Sequence, residues 1–344
     1  MTRIDDLRAA LEEPLLVTAP ANIVYLTGFE SSNAAVLVEE ERVRLFSDFR
    51  YAEAARAVEG VEFTQVARNL FAALASELSG RIAFEADALR YSAYATLKDA
   101  GLELIPRRGT VEALRAVKDE EELARIRQAA GITDRMFERL ADEKFVGETA
   151  RNVAWKIAQL FHELGAEDLA FPPVVGAGAN GATPHAHVGD DKIERGTTVV
   201  IDVGCKVGGY LSDCTRTFAA GPLPERLKEA YRACLEGQLA GLEAVRAGVT
   251  GQDADAVARD VIEAAGFGGE FGHGLGHGVG LEVHEAPTLR PESDSVLEPG
   301  NVVTVEPGIY LPGEGGIRIE DLVVVTDGEP EVLYRSTKDL VDVS

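Results

Sequence analysis

The chain has 344 residues, and its 34 basic and 58 acidic side chains leave a net charge of −24. That length exceeds one ordinary hydrophobic core and predicts two domains. Residues beyond Val117 hold 21 basic and 40 acidic side chains and so carry −19, a field that repels nucleic-acid phosphates and anionic lipid and attracts metal cations and ammonium groups. Neither nucleic acid nor a membrane is expected as a partner.

The N-terminal stretch "MTRIDDLRAALEEP" places Asp5, Asp6 and Glu12 where a signal peptide needs an apolar core. No apolar run approaches the length that spans a bilayer. Short apolar runs follow at 34–38, 42–46, 61–66 and 81–86, alternating with helical stretches such as "DFRYAEAARAVE". This pattern predicts an α/β domain over residues 1–117. Next, Leu114, Val117, Leu123, Ile126, Ile132, Met136 and Leu140 recur at helical spacing, with Asp119 as N-cap and Glu122 as its capping-box partner. A long helix is predicted to open a second domain, residues 118–344.

Two helices on, the second domain turns to β-structure. "GTTVVIDVGCKVGGYLSDCTRTFAA" (196–220) reads as two strands joined by a Gly-Gly turn, with Asp202 on the first and Asp213 on the second. "NVVTVEPGIYLPGEGGIRIEDLVVV" (301–325) repeats the pattern with Glu306 and Glu320. A lone buried carboxylate costs several kcal/mol unless a partner or a metal compensates it. Between the hairpins lies "FGHGLGHGVGLEVHEAP" (271–287), which holds His273, His277 and His284, three of the six histidines. Its glycines are expected to adopt backbone conformations closed to other residues and to admit a close approach. Upstream, "VVGAGANGATPHAHVGD" lacks the lysine of a phosphate-binding loop and reads as a turn leading to His185, with His187 a solvated loop residue. Cys205, Cys214 and Cys234 are odd in number and form no CxxC pair, so a reducing cytoplasm is expected, with Cys214 packed in the core.

Four carboxylates cannot all stay ionised at one spot without cations. Together with one imidazole they form a set suited to divalent Mn, Co, Fe or Zn. Two ions sharing carboxylates, about 3.5 Å apart, is a hydrolytic arrangement.

The ordered residues Asp202, Asp213, His277, Glu306 and Glu320, in the contexts "IDVG", "SDCTRTF", "GHGVGLEVHE", "VEPGIY" and "GIRIED", resemble the pita-bread metallopeptidases. Within them the chain is similar to the Xaa-Pro branch, the aminopeptidases P and prolidases. The resemblance implies an α+β protein: an N-terminal α/β creatinase/prolidase-like domain followed by a C-terminal pita-bread domain, duplicated about a pseudo-twofold axis. It implies two divalent metal ions per subunit, with manganese favoured over cobalt or zinc. Asp202 would bind one ion, His277 and Glu306 the other, and Asp213 and Glu320 both. Glu306 would also act as general base. His185 and His284 match catalytic, substrate-side histidines. His273 would line the proline subsite, and Arg318, the second substrate-binding candidate, would also orient a carboxylate ligand.

The implied activity is hydrolysis of the bond between an N-terminal residue and a following proline in short peptides, by a homodimer or larger assembly. Typical prolidases have an arginine shortly after the last histidine of the motif, in some of them four residues beyond it. Here that position is Thr288, and Arg290 lies two further on, about 6.6 Å along an extended segment. Tripeptides and longer peptides are therefore expected as substrates, in the manner of aminopeptidase P, the alternative being an Xaa-Pro dipeptidase. A non-catalytic peptide-binding module is the remote alternative, because such relatives have lost metal ligands and this chain keeps all five.

Overall fold

The computed structural model describes residues 2–344. The chain divides into two compact units, one up to Arg115 and the other from Ala116. In the first, six strands form one sheet in the order Glu62–Gln65, Val43–Ser47, Ala34–Val38, Leu15–Val17, Arg81–Glu85, Glu103–Arg107. The pairs made by Ala34–Val38 are antiparallel and the remaining three are parallel. Strands Leu15–Val17 and Ala34–Val38 are buried on both faces, which explains why they read as continuous apolar runs rather than alternating ones. Leu16, Leu37, Phe46, Leu74, Phe84 and Leu97 share the core between sheet and helices.

The second unit opens on helix Glu120–Ala141. Asp119 is its N-cap, and the reciprocal bond from Glu122 completes the capping box, as the sequence predicts. Helix Ala150–Glu163 follows, and then strands Val174–Ala177, Thr197–Val203 and Cys214–Ala220, all antiparallel. The order then repeats: helices Glu225–Ala244 and Gly251–Ala264 precede a second antiparallel sheet, Glu285–Leu289, Gly276–Gly278, Val302–Val305, Asp321–Val324, Glu331–Val332. Two helices and then a sheet, twice over, is the duplicated architecture expected of this half. Among the described residues no helix is long and apolar enough to cross a membrane.

Both hairpins form, with breaks that the sequence pattern does not show. Gly208 and Gly209, at φ +56° and +84°, make the tight turn between Cys205–Val207 and Tyr210–Leu211. In the second, Gly308–Leu311 pairs with Gly315–Arg318, while Val302–Val305 pairs with Asp321–Val324. Asp202 alone of the four carboxylates lies within a strand. Asp213 precedes Cys214–Ala220 by one residue, Glu306 follows Val302–Val305, and Glu320 falls between Gly315–Arg318 and Asp321–Val324. Placing Asp213 on the second strand is thus corrected. Asp213, Glu306 and Glu320 thus sit where the ladders are interrupted and the backbone can redirect a side chain.

Candidate active site

The five predicted ligand residues come together on one side of these interrupted hairpins. Oxygen atoms of Asp202, Asp213 and Glu320 all lie within 4.8 Å of one another. His277 Nε2 stands 3.0 Å from Glu306 Oε1 and 3.8 Å from Asp213 Oδ2, so Asp213 adjoins both groups. Strand register places Thr215 opposite Asp202, and the Thr215 hydroxyl donates to Glu320 Oε2 at 2.6 Å. Thr304 does the same for Glu306 Oε1 at 2.9 Å while accepting the His277 backbone N–H. Tyr334 fixes the backbone of Asp213, accepting from its N–H at 3.1 Å and donating to its carbonyl at 2.7 Å.

Electrostatics in the bare chain point to missing positive charge. Burial pushes Asp213 and Glu320 well above the usual carboxylate range, and repulsion from neighbouring carboxylates adds to it. Burial likewise raises Asp202, although Arg318 opposes the shift. At Glu306 burial is outweighed by the hydrogen bond and charge of His277, and its carboxyl is held down.

Three further observations test whether a cation fits. Asp202 Oδ1 and Glu320 Oε1 are buried with no hydrogen-bond partner, although buried carboxylate oxygens are normally satisfied. His277 Nδ1 lies 3.1 Å from the carbonyl of Gly278, which can only accept, so Nδ1 carries a proton and Nε2 is the ring atom turned toward Glu306. Burial works against a charged ring, but the hydrogen bond and charge of Glu306, 3.0 Å away, outweigh it and raise the His277 pKa, so a proton holds the pair together where a cation can take its place. A carbonyl behind the ring is also the usual support for a ligating histidine. The residues present fit divalent metal ions.

A cleft of about 690 Å³ opens over the cluster, and His185, His273, His284, Arg290, Tyr310 and Arg318 line it with Phe171, Pro172 and Val283. The rings of His284 and His277 stand 4.3 Å apart at 62°. Burial and the charge of His277 both lower the His284 pKa. His185 is exposed at the rim, and His187 is exposed as expected.

His273 has both ring nitrogens engaged: Nδ1 donates to the Gly274 carbonyl at 2.8 Å, and Nε2 accepts from the Tyr310 hydroxyl at 3.0 Å. Tyr310, its phenol pushed up to about 12 by burial, accepts in turn from Arg318 Nη1 at 2.8 Å. Arg318 also donates to Asp202 Oδ2 at 2.5 Å, to Thr215 Oγ1 at 3.1 Å and to the Pro184 carbonyl at 3.3 Å. It thereby joins the Asp202 carboxylate to the loop that holds His185. Thr215, Thr304, Tyr310 and Tyr334 are site residues that the sequence reading missed. Only their positions beside the motif carboxylates, "DCTRTF" and "EPGIY", could have pointed to two of them.

Two expectations change. Of the glycines at 272, 274, 276, 278 and 280, none has a positive φ. A Cβ at Gly276 would collide with the Thr304 carbonyl, and one at Gly278 with the Ala286 carbonyl. The absent side chains make room for neighbouring strands of the same chain, not for an unusual backbone. Arg290, in turn, lies in the wall of the cleft. Strand Glu285–Leu289 ends one residue before it and the chain bends there, so the spacing of an extended segment does not govern its reach.

Comparison with known proteins agrees over the whole chain. Residues 3–117 match the Creatinase/Prolidase N-terminal domain and residues 124–327 match Metallopeptidase family M24. The peptidase YqhT of Bacillus subtilis (strain 168) is 37% identical over 95% of both chains. Among solved structures, the Xaa-Pro dipeptidase from Bacillus anthracis is 39% identical, covers 98% of each chain and superposes with a TM-score of 0.94. The X-Pro aminopeptidase from Thermotoga maritima MSB8 is 34% identical with a TM-score of 0.90 and covers 99% of each. The chain therefore belongs to metallopeptidase family M24, with a creatinase/prolidase N-terminal domain ahead of its peptidase domain.

Proposed function

We propose that this protein is a metal-dependent exopeptidase that cleaves between an N-terminal residue and a following proline in short peptides. The observation that carries the reading is the buried set Asp202, Asp213, His277, Glu306 and Glu320, with two carboxylate oxygens lacking any partner, at the floor of a cleft walled by imidazoles. Two divalent ions per subunit are assigned to these residues, with manganese the first choice and cobalt or zinc the alternatives. Asp202 would hold one, His277 and Glu306 the other, and Asp213 and Glu320 both. Bound there, divalent ions neutralise the carboxylates, polarise a carbonyl oxygen and lower the pKa of water.

The remaining work falls to the chain. Glu306, supported by Thr304 and beside His277, is the general base, since a carboxylate at the floor of the cleft can take and return a proton. His284 is placed to donate to the scissile carbonyl as negative charge develops on it, and His185 assists from the rim. His273, with both nitrogens engaged, lines the proline side through its ring. Arg318, a substrate-binding candidate in the sequence, is assigned to holding Asp202 because four of its donor contacts are internal.

The position of Arg290 favours a second reading of substrate length. A guanidinium in the cleft wall can receive the free carboxylate of proline bidentately, which would make the protein an Xaa-Pro dipeptidase and weaken the case for tripeptides and longer. The discriminating experiment compares kcat/KM for one Xaa-Pro dipeptide with that for the same peptide extended by a residue, in the wild type and in Arg290→Ala. Anchoring by Arg290 predicts a dipeptide preference of the wild type that Arg290→Ala abolishes. A preference for the longer peptide, unchanged by the substitution, would return the protein to the aminopeptidase P reading. A reducing cytoplasm remains the proposed location, supported by three free and buried cysteines.

A further inference from the structure

Behind the carboxylate cluster, on the opposite face of strand Cys214–Ala220, lies a buried charged network that the proposed chemistry does not use. Adjacent residues of a strand point to opposite faces. Thr215 reaches forward to the Glu320 carboxylate, and Arg216 reaches back. Arg216 is 4% exposed, and its guanidinium meets acceptors on every side: Nη1 donates to the Glu320 carbonyl at 2.5 Å and the Thr215 carbonyl at 3.0 Å, Nη2 to Asp321 Oδ1 at 2.8 Å and Ser336 Oγ at 3.0 Å, and Nε to the Thr337 carbonyl at 3.2 Å. Asp321, fully buried, also receives Gln238 Nε2 at 2.9 Å and Lys338 Nζ at 2.5 Å. Asp134 secures the segment over the guanidinium by accepting the N–H groups of Arg335 and Ser336.

We infer that Arg216 is a positioning residue for Glu320, setting the direction of its carboxylate by gripping its backbone. Glu320 lies between two strands, so the sheet ladder provides no partner for its carbonyl. Apart from the Cys214 thiol at 3.5 Å, that partner is Arg216. The Glu320 N–H donates to the Thr215 carbonyl, which the same guanidinium also holds. One planar fork thus fixes the backbone that carries the ligand together with the residue that hydrogen-bonds its side chain. A lysine offers a point charge and cannot span both carbonyls and Asp321 in one plane. A buried ion pair contributes little net stability once desolvation is counted, whereas displacement of a ligand by a fraction of an ångström is enough to loosen a metal site.

This inference rests on the assignment of Glu320 as a metal ligand, and its test reads metal affinity rather than turnover. Mn²⁺ is titrated calorimetrically into chelator-stripped wild type, Arg216→Lys, Asp321→Asn and Lys338→Met, each checked for folding by circular dichroism. Positioning predicts Mn²⁺ binding weakened by ~10- to 100-fold in Arg216→Lys and Asp321→Asn. Lys338→Met, which touches Asp321 but not Glu320, should lower the melting temperature and leave Mn²⁺ affinity unchanged. Wild-type affinity in the first two variants overturns the inference, as does an equal loss in Lys338→Met or failure of both Arg216→Lys and Asp321→Asn to fold, any of which makes the network merely structural. A wild type that binds none of Mn²⁺, Co²⁺ or Zn²⁺ overturns the proposed function instead.

Discussion

His277 Nε2 and Glu306 Oε1, 3.0 Å apart, put the problem of this site in its smallest form: beside the Thr304 hydroxyl that the carboxylate already accepts, a proton or a cation must join the two. The same reasoning sets the expectations for substitution. Asp213→Asn and Glu320→Gln each replace an anionic oxygen by a neutral amide nitrogen that cannot accept a bond, and both should reduce peptide hydrolysis to background while circular dichroism stays that of the wild type. Residual turnover above a tenth of the wild-type rate in either variant would contradict their assignment as shared ligands. His284→Ala removes a donor from the proposed position of developing charge, and kcat should fall by about 10²- to 10³-fold, with KM changed far less. A variant that alters only KM would move His284 to simple substrate binding. Asp202 was legible in the sequence because a carboxylate is out of place in "VVIDV". Thr215, Thr304 and Tyr334 were not, since each acts through hydroxyl bonds to groups distant in the chain or two residues along it, which exist only once the strands are interrupted as they are here.

At the scale of elements, the helix that opens the second unit was readable to the residue, because a capping box is a local device whose two bonds depend on a spacing of three. The hairpins were readable only in outline. Their apolar runs and turn glycines are local, but at the breaks Glu306 and Glu320 give their backbone N–H groups to the carbonyls of Leu275 and Thr215, far off in sequence. Glycines in the histidine-rich stretch illustrate the same limit, since their composition was plain but its reason is a tertiary contact. Gly276→Ala would drive a methyl into the Thr304 carbonyl, whereas a Cβ at Gly272 meets nothing within 4 Å. Chemical denaturation should therefore find Gly276→Ala destabilised by about 1–3 kcal/mol and Gly272→Ala close to the wild type. Equal stabilities for the two would refute the packing explanation. Arg290 belongs here too: the end of a strand, invisible in the sequence, decides whether a side chain reaches the cleft.

For the molecule as a whole, the order of two unlike domains and the duplicated second one follow from patterns spread over hundreds of residues, and these survive local errors in element boundaries. Assembly does not follow in that way, because the sequence shows no self-complementary patch. The expectation of a homodimer or larger is checked by light scattering at micromolar concentration, where a monomer alone would contradict it. Proline specificity is checked by replacing the proline of a test peptide with alanine. A rigid ring and a tertiary amide are recognised by shape, so turnover should fall by orders of magnitude, and comparable rates would make the protein a general aminopeptidase. The most direct test of the account removes the metal. Protein stripped by a chelator and verified metal-free by elemental analysis should not hydrolyse an Xaa-Pro peptide and should recover when Mn²⁺ is restored, while full activity in the verified metal-free protein would contradict the role assigned to Asp202, Asp213, His277, Glu306 and Glu320.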